Sequence, residues 1–238
     1  MERPPRLREA TQRSTWNTRP DRLARIALSD SDSARRLLIT GLESLGRQVD
    51  PGQVESLLEL ARLLERWASR MNLTGHRTQE NIVQGLILEA VALLQVLPTV
   101  ASLADLGSGA GFPGLPIALL EPACAITLVE SRQKRHHFQR AAIRELEIGN
   151  VLPLRGRVED LEPRPHAAVI AQALARPERV LPRMIRWADR GGLLVIPGGA
   201  NPPNPPVIPE VRFESRLRYQ VPGRRADRTV WIGRRAPI

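Results

Sequence analysis

A chain of 238 residues is long enough for one α/β domain with an appendage. Its single cysteine, Cys124, excludes an internal disulfide, and neither a signal-peptide pattern over Met1–Ala10 nor an apolar run of bilayer length is present, so a soluble cytoplasmic protein with no membrane partner is expected. The formal net charge of +10 favours a polyanionic partner, above all nucleic acid, and nearly all of the cations are arginine, Lys134 being the only lysine.

Residues 1–32 are rich in Arg, Pro, Ser and Asp, with little apolar periodicity, and read as a mobile basic extension. Ser33 to Leu45 is expected to be a short amphipathic helix stopped by Gly46, with Leu37, Leu38, Leu42 and Leu45 on one side. Asp50-Pro51 has the form of a cap followed by proline at the first helical position, and Val54, Leu57, Leu58, Ala61, Leu64 and Trp67 then keep helical spacing. A third helix is expected from about Asn81 to Leu97, closed by Pro98. Residues 33–97 thus form a helical cap too small to be stable alone, which must pack on the domain of residues 98–238.

From Val100 onward apolar strands alternate with helical segments, which calls for a mostly parallel sheet. Strands are expected at 100–106, 126–130, 151–154, 167–173 and 192–196, with a helix capped by Ser131 and another over Pro177–Trp187. The proline-rich stretch 201–209 reads as a loop, and 211–221 with 229–234 as an antiparallel pair closing the sheet.

The chemistry concentrates at Asp105-Leu106-Gly107-Ser108-Gly109-Ala110-Gly111-Phe112-Pro113-Gly114, a strand end followed by a glycine ladder and a helix start. Glycines admit positive φ and let a ligand approach without a Cβ in the way, and a helix start offers unpaired N–H groups. Gly109, Gly111 and Gly114 fit the dinucleotide pattern G-x-G-x-x-G, with Glu130 near the distance of a ribose-binding acid. Gly107, Gly109 and Gly111 equally fit the G-x-G-x-G pattern of class I methyltransferases, which bind S-adenosylmethionine. The glycines alone leave both ligands open, and with the dinucleotide goes a nicotinamide-dependent oxidoreductase. No metal-ligand spacing is seen: His136 and His137 are adjacent and point apart on a helix, and His76 and His166 are isolated. No nucleophile motif such as G-x-S-x-G appears.

Trp67 followed by Asn72-Leu73-Thr74, the extended Gly107-to-Pro116 loop, Leu128-Val129-Glu130-Ser131 with Lys134-Arg135, and Gly156-Arg157-Val158-Glu159-Asp160 together resemble the small-subunit ribosomal RNA methyltransferase G family, over roughly Leu57 to Ile196. The resemblance implies a class I methyltransferase fold, S-adenosylmethionine as cofactor, and methylation of guanine N7 in 16S ribosomal RNA or the small ribosomal subunit. Carried over onto matching positions, Gly107, Gly109, Gly111 and Phe112 line the cofactor site, Glu130 holds the ribose diol, and Val158 and Glu159 meet the adenine end. Lys134, Arg135 and Arg157 become the RNA contacts. The sequence also departs from the family: Gln172, placed with the cofactor-binding residues, stands where an arginine is usual, Pro197 where a lysine is usual, and Gln84-Gly85 where an Arg-His pair is usual. These losses raise the alternative of a non-catalytic RNA- or ribosome-binding relative.

Overall fold

The computed structural model describes residues 19–202 and 204–237, so the first part of the expected extension, 1–18, lies outside the described residues. Four N-terminal helical segments come first: α1 (Arg19–Ser44), α2 (Pro51–Ala68), α3 (Gln79–Ile82) and, after a π turn over Val83–Ile87, α4 (Leu88–Gln95). α1 therefore starts well before the expected Ser33, and 19–32 belongs to a helix. It ends as expected at Gly46, whose φ of +63° supplies the left-handed residue that closes a helix. The start of α2 follows from sequence alone: the Asp50 carboxylate accepts from the Gln53 N–H at 2.8 Å, and the Gln53 side chain accepts from the Asp50 N–H at 3.2 Å. The expected third helix is instead broken by the π turn, a widening seen often beside functional sites.

The rest alternates strand and helix: β1 (Ser102–Leu106), α5 (Gly114–Leu120), β2 (Ala125–Glu130), α6 (Gln133–Glu145), β3 (Val151–Arg155), β4 (His166–Ile170), α7 (Pro177–Trp187), β5 (Ala188–Gly198), β6 (Val211–Tyr219) and β7 (Arg228–Arg235). The seven strands form one sheet in the order β3-β2-β1-β4-β5-β7-β6. β1 to β5 are mutually parallel, and β7 runs antiparallel to both β5 and β6. This is the class I methyltransferase fold, with its antiparallel C-terminal pair. One local expectation fails. Ser131 does not cap α6; Arg132 occupies that position without a side-chain cap, and its N–H goes to the Glu130 carboxylate at 2.7 Å.

Side-chain alternation along the strands divides the interior in two. Leu103, Ile126, Leu128, Ile170 and Val195 face α5, α6 and the cap, in one cluster with Leu57, Leu60, Leu64, Ile87 and Val91. Ala104, Leu106, Val129, Val169 and Leu194 face α7, whose Val180, Leu181, Met184 and Trp187 bury against them. Trp67 meets Phe138 edge-on at 5.7 Å, joining α2 to α6. The cap and the sheet thus share one core. The order of winding reverses between β1 and β4, and a crevice opens outside the carboxyl ends of strands at such a switch point.

Candidate cofactor and target crevice

The crevice has two hollows that meet at Gly107, Arg135 and Ala173. One, of about 330 Å³, lies over the ends of β2 and β3 and is bounded by Glu130, Gly156, Arg157, Val158 and Glu159. The other, of about 390 Å³, lies between the glycine loop and the cap and is bounded by Leu73, Thr74, Leu86, Glu89, Phe112 and Gln172. Ala173, at the junction, holds a φ of +52°, a conformation rare for a residue with a side chain and typical of sites where geometry serves function.

The glycine loop is held from below and left open above. Gly107 and Ser108 donate to the Val129 carbonyl at 2.8 and 3.0 Å, pinning the loop to the end of β2. The fully buried Gln139 of α6 donates to Ser108 Oγ at 2.9 Å and to the Gly109 carbonyl at 2.8 Å. Gly109 has a φ of +59°, and a Cβ there would find only Arg135 Nη1, at 3.9 Å. That open space is what a ligand lying on the loop requires. At Gly114 the reason is packing, since a Cβ would sit 2.3 Å from Leu128 Cδ2.

Asp105 lies beneath this loop and is buried. Its Oδ2 accepts from the Gly114 N–H at 3.0 Å, tying β1 to the start of α5, while its Oδ1 has no partner. Burial pushes its carboxyl up to about 7; the Gly114 hydrogen bond opposes that rise and the charge of Glu130 adds to it. Asp105 lines neither hollow and acts from below the loop, whereas the open glycine, which lines the larger hollow, leaves the room that a bound cofactor requires.

The expected residues fall as follows. Glu130 is buried at the end of β2, with one oxygen on the Arg132 N–H at 2.7 Å and the other 3.9 Å from Arg135 Nη1, too far for a hydrogen bond. That second oxygen has no hydrogen-bond partner among the described residues, and Glu130 lines the smaller hollow. Val158 is buried in the wall, while the Glu159 side chain is drawn onto Arg183 at 3.0 Å. Gly107 and Phe112 line the larger hollow, and Gly111, at a φ of +87°, turns the chain into α5. Lys134 lies exposed on α6 outside both hollows, Arg157 is exposed at the rim of the smaller one, and Arg135 lies inside where the two meet.

Gln172 stands in the larger hollow, and its Nε2 donates to Glu89 Oε1 at 2.8 Å. Glu89 also accepts from Arg228 Nη2 at 2.6 Å and pairs with Arg224 Nη1 at 3.2 Å, while Arg224 donates on to the Gly85 carbonyl at 3.1 Å. One buried carboxylate therefore joins the cap, the end of β4 and the β6–β7 turn. Tyr219 lies in this group; burial first, then Glu89, pushes its hydroxyl up to about 12. None of Glu89, Arg224, Arg228 or Gln139 stood out in sequence, although a lone acid inside the apolar stripe of Ala90, Val91, Leu93 and Leu94 was a readable signal. The space at Gly85 is taken by the His76 imidazole, whose Cε1 would lie 2.2 Å from a Cβ there. Burial lowers the pKa of His76. Among the described residues no three His, Cys, Asp or Glu side chains gather to hold a metal, and no helix is long and apolar enough to cross a membrane.

Comparison with known proteins gives the family. Residues 53–203 match the model of the family described as rRNA small subunit methyltransferase G. The ribosomal RNA small subunit methyltransferase G of Chromohalobacter salexigens is 33% identical over 201 residues, covering 84% of this chain and 96% of the relative. That of Azoarcus sp. is 31% identical over 198 residues, covering 82% and 93%. That of Stenotrophomonas maltophilia is 37% identical over 167 residues, covering 70% and 74%. Among solved structures, a mutant of MtNAS in complex with S-adenosylmethionine aligns with a TM-score of 0.50 at 16% identity, covering 87% of this chain and 78% of that one, a likeness of fold. On its sequence, its sheet order and the loop that sheet presents, the chain belongs to the rRNA small subunit methyltransferase G family.

Proposed function

We propose that this chain, an rRNA methyltransferase by family, transfers a methyl group from S-adenosylmethionine to N7 of a guanine in 16S ribosomal RNA. The observation that carries the reading is the two-part crevice: a smaller hollow with an acid at the end of β2, and a larger one beside it, meeting at the glycine loop. When bound, S-adenosylmethionine supplies an electrophilic methyl group on a sulfonium, and the N7 lone pair of neutral guanine can receive it without loss of a proton.

The residues therefore have to align, not to act as a strong base. Glu130 accepts the two ribose hydroxyls, as a carboxylate oxygen can. Val158 closes the hollow over the base, and the bare backbone at Gly109 leaves room for the ligand. Phe112, beside Gln172 and Leu86, offers an apolar wall to the target base. Duplex RNA hides N7 in a deep, narrow major groove, so the target has to be an accessible or splayed-out base. Lys134 and Arg157 stand on the outer faces beside the crevice, where phosphates of the flanking strand pass.

The test is to map 7-methylguanine in small-subunit RNA with and without the gene, and to measure S-adenosylmethionine binding by calorimetry. The expected result is one guanine whose N7 methylation disappears with the gene. Cofactor binding without any methylation of RNA, whether free or in the subunit, would make the chain a non-catalytic relative.

A further inference from the structure

Taking the guanine reading as its ground, we infer that Glu89 and Gln172 form an acceptor pair that selects guanine by the two adjacent donors of its Watson–Crick edge.

Hydrogen-bond inventory carries the argument. A carboxylate only accepts, so the amide of Gln172, 2.8 Å from Glu89, must turn its NH₂ toward Glu89. Its amide oxygen then becomes the free polar atom of that side chain. That oxygen has no partner among the described residues, and it is absent from the buried atoms that lack one, so it is open to the hollow that Gln172 lines. Glu89 has room for about four donors. Its Oε1 is filled by Gln172 and Arg228, whereas its Oε2 takes only Arg224 among the described residues, at 3.2 Å. One acceptor position on Glu89 and one on Gln172 thus remain, on two side chains that are hydrogen-bonded to each other and line the same hollow.

Guanine offers N1–H and the N2 amine on one edge, two donors in a row. Adenine offers an acceptor, N1, next to a donor, and would set a lone pair against the pair of oxygens. A site that presents acceptors alone rejects the base lacking the donors, because its own groups would be left unpaired. The arginines of the β6–β7 turn act through Glu89. Arg228 and Arg224 hold the carboxylate in place and are positioning residues. This also gives the neutral Gln172 a task that a guanidinium, which has donors only, could not perform.

The test is equilibrium binding of GMP, IMP and AMP to the full chain saturated with S-adenosylhomocysteine. GMP is expected to bind roughly 10- to 100-fold tighter than AMP, with IMP, which keeps N1–H and lacks the amine, between them. Gln172→Met keeps the length and removes the acceptor; the GMP preference is expected to fall about tenfold while the melting temperature and the S-adenosylhomocysteine affinity hold. Equal binding of GMP and AMP by the wild type, or no binding of either, overturns the assignment, as does a Gln172→Met variant that keeps the preference. These outcomes are separate from the functional reading. A chain that makes 7-methylguanine yet binds GMP and AMP alike defeats only the acceptor pair, whereas absence of 7-methylguanine defeats the functional reading whatever the nucleotides do.

Discussion

Asp105→Asn offers a sharp test of how the crevice floor is built. In the native protein the Asp105 carboxyl is buried and titrates near 7 instead of the ordinary 3.8. Between those values the folded state holds a proton that the unfolded chain has released. Stability from this group is therefore greatest at low pH, falls as pH rises from about 4, and levels off above about 7. The rise from 3.8 to about 7 corresponds to about 4 kcal/mol at pH 8. Asparagine keeps the acceptor for the Gly114 N–H and cannot ionise. Its amide NH₂ replaces the orphaned Oδ1 and costs about 1–3 kcal/mol at every pH, much as the unpaired hydroxyl of protonated Asp105 does at low pH. Urea unfolding of both chains at pH 4 and pH 8 reads the difference. The variant is expected to gain about 4 kcal/mol on the wild type between the two conditions, all other ionisations being common to both. A gain below about 1 kcal/mol would refute the reasoning, since it would mean an Asp105 carboxylate as well accommodated in the fold as in water.

Gly109→Val places a branched side chain at a φ of +59° in the space left for the ligand, so calorimetry should find no S-adenosylmethionine binding; affinity equal to wild type would remove the loop from the cofactor site. Lys134→Gln and Arg157→Gln should each weaken RNA binding and reduce the slope of log affinity against log salt by about one, and a slope unchanged in the double variant would place the phosphate contacts elsewhere. Glu89→Ala leaves Arg224 and Arg228 without their carboxylate and should cost about 3 kcal/mol in urea unfolding, a value near zero showing that the three-way contact contributes nothing to holding the cap.

Local rules carried much of the architecture. The bounds of α7 over Pro177–Trp187 are those its apolar spacing and leading proline dictate, and the Asp50–Gln53 box marks the start of α2. Alternating strands and helices require a parallel sheet, and the proline-rich stretch interrupts regular structure before the antiparallel pair. The glycine ladder was equally legible, because positive φ and a bare backbone are properties of single residues in a fixed order. The resemblance read from these motifs agrees with the family to which the chain belongs.

Other features lie beyond any local rule. The early start of α1 and the π turn between α3 and α4 go against what the residues show one by one, since tertiary packing overrides propensity. Ser131 looked like the cap of α6, yet the cap position falls on Arg132, which has no side-chain cap and whose N–H is taken by Glu130 at the end of β2. Glu89, Gln172 and the pair Arg224 and Arg228 come from three separate stretches, 83 residues apart between Glu89 and Gln172 and 139 between Glu89 and Arg228. No spacing rule connects them. Periodicity and turn chemistry act over a few residues and so survive in the sequence as patterns. A buried carboxylate finds its partners only where the sheet order β1-β4-β5-β7 brings them beside the cap, and that juxtaposition exists only in the folded chain.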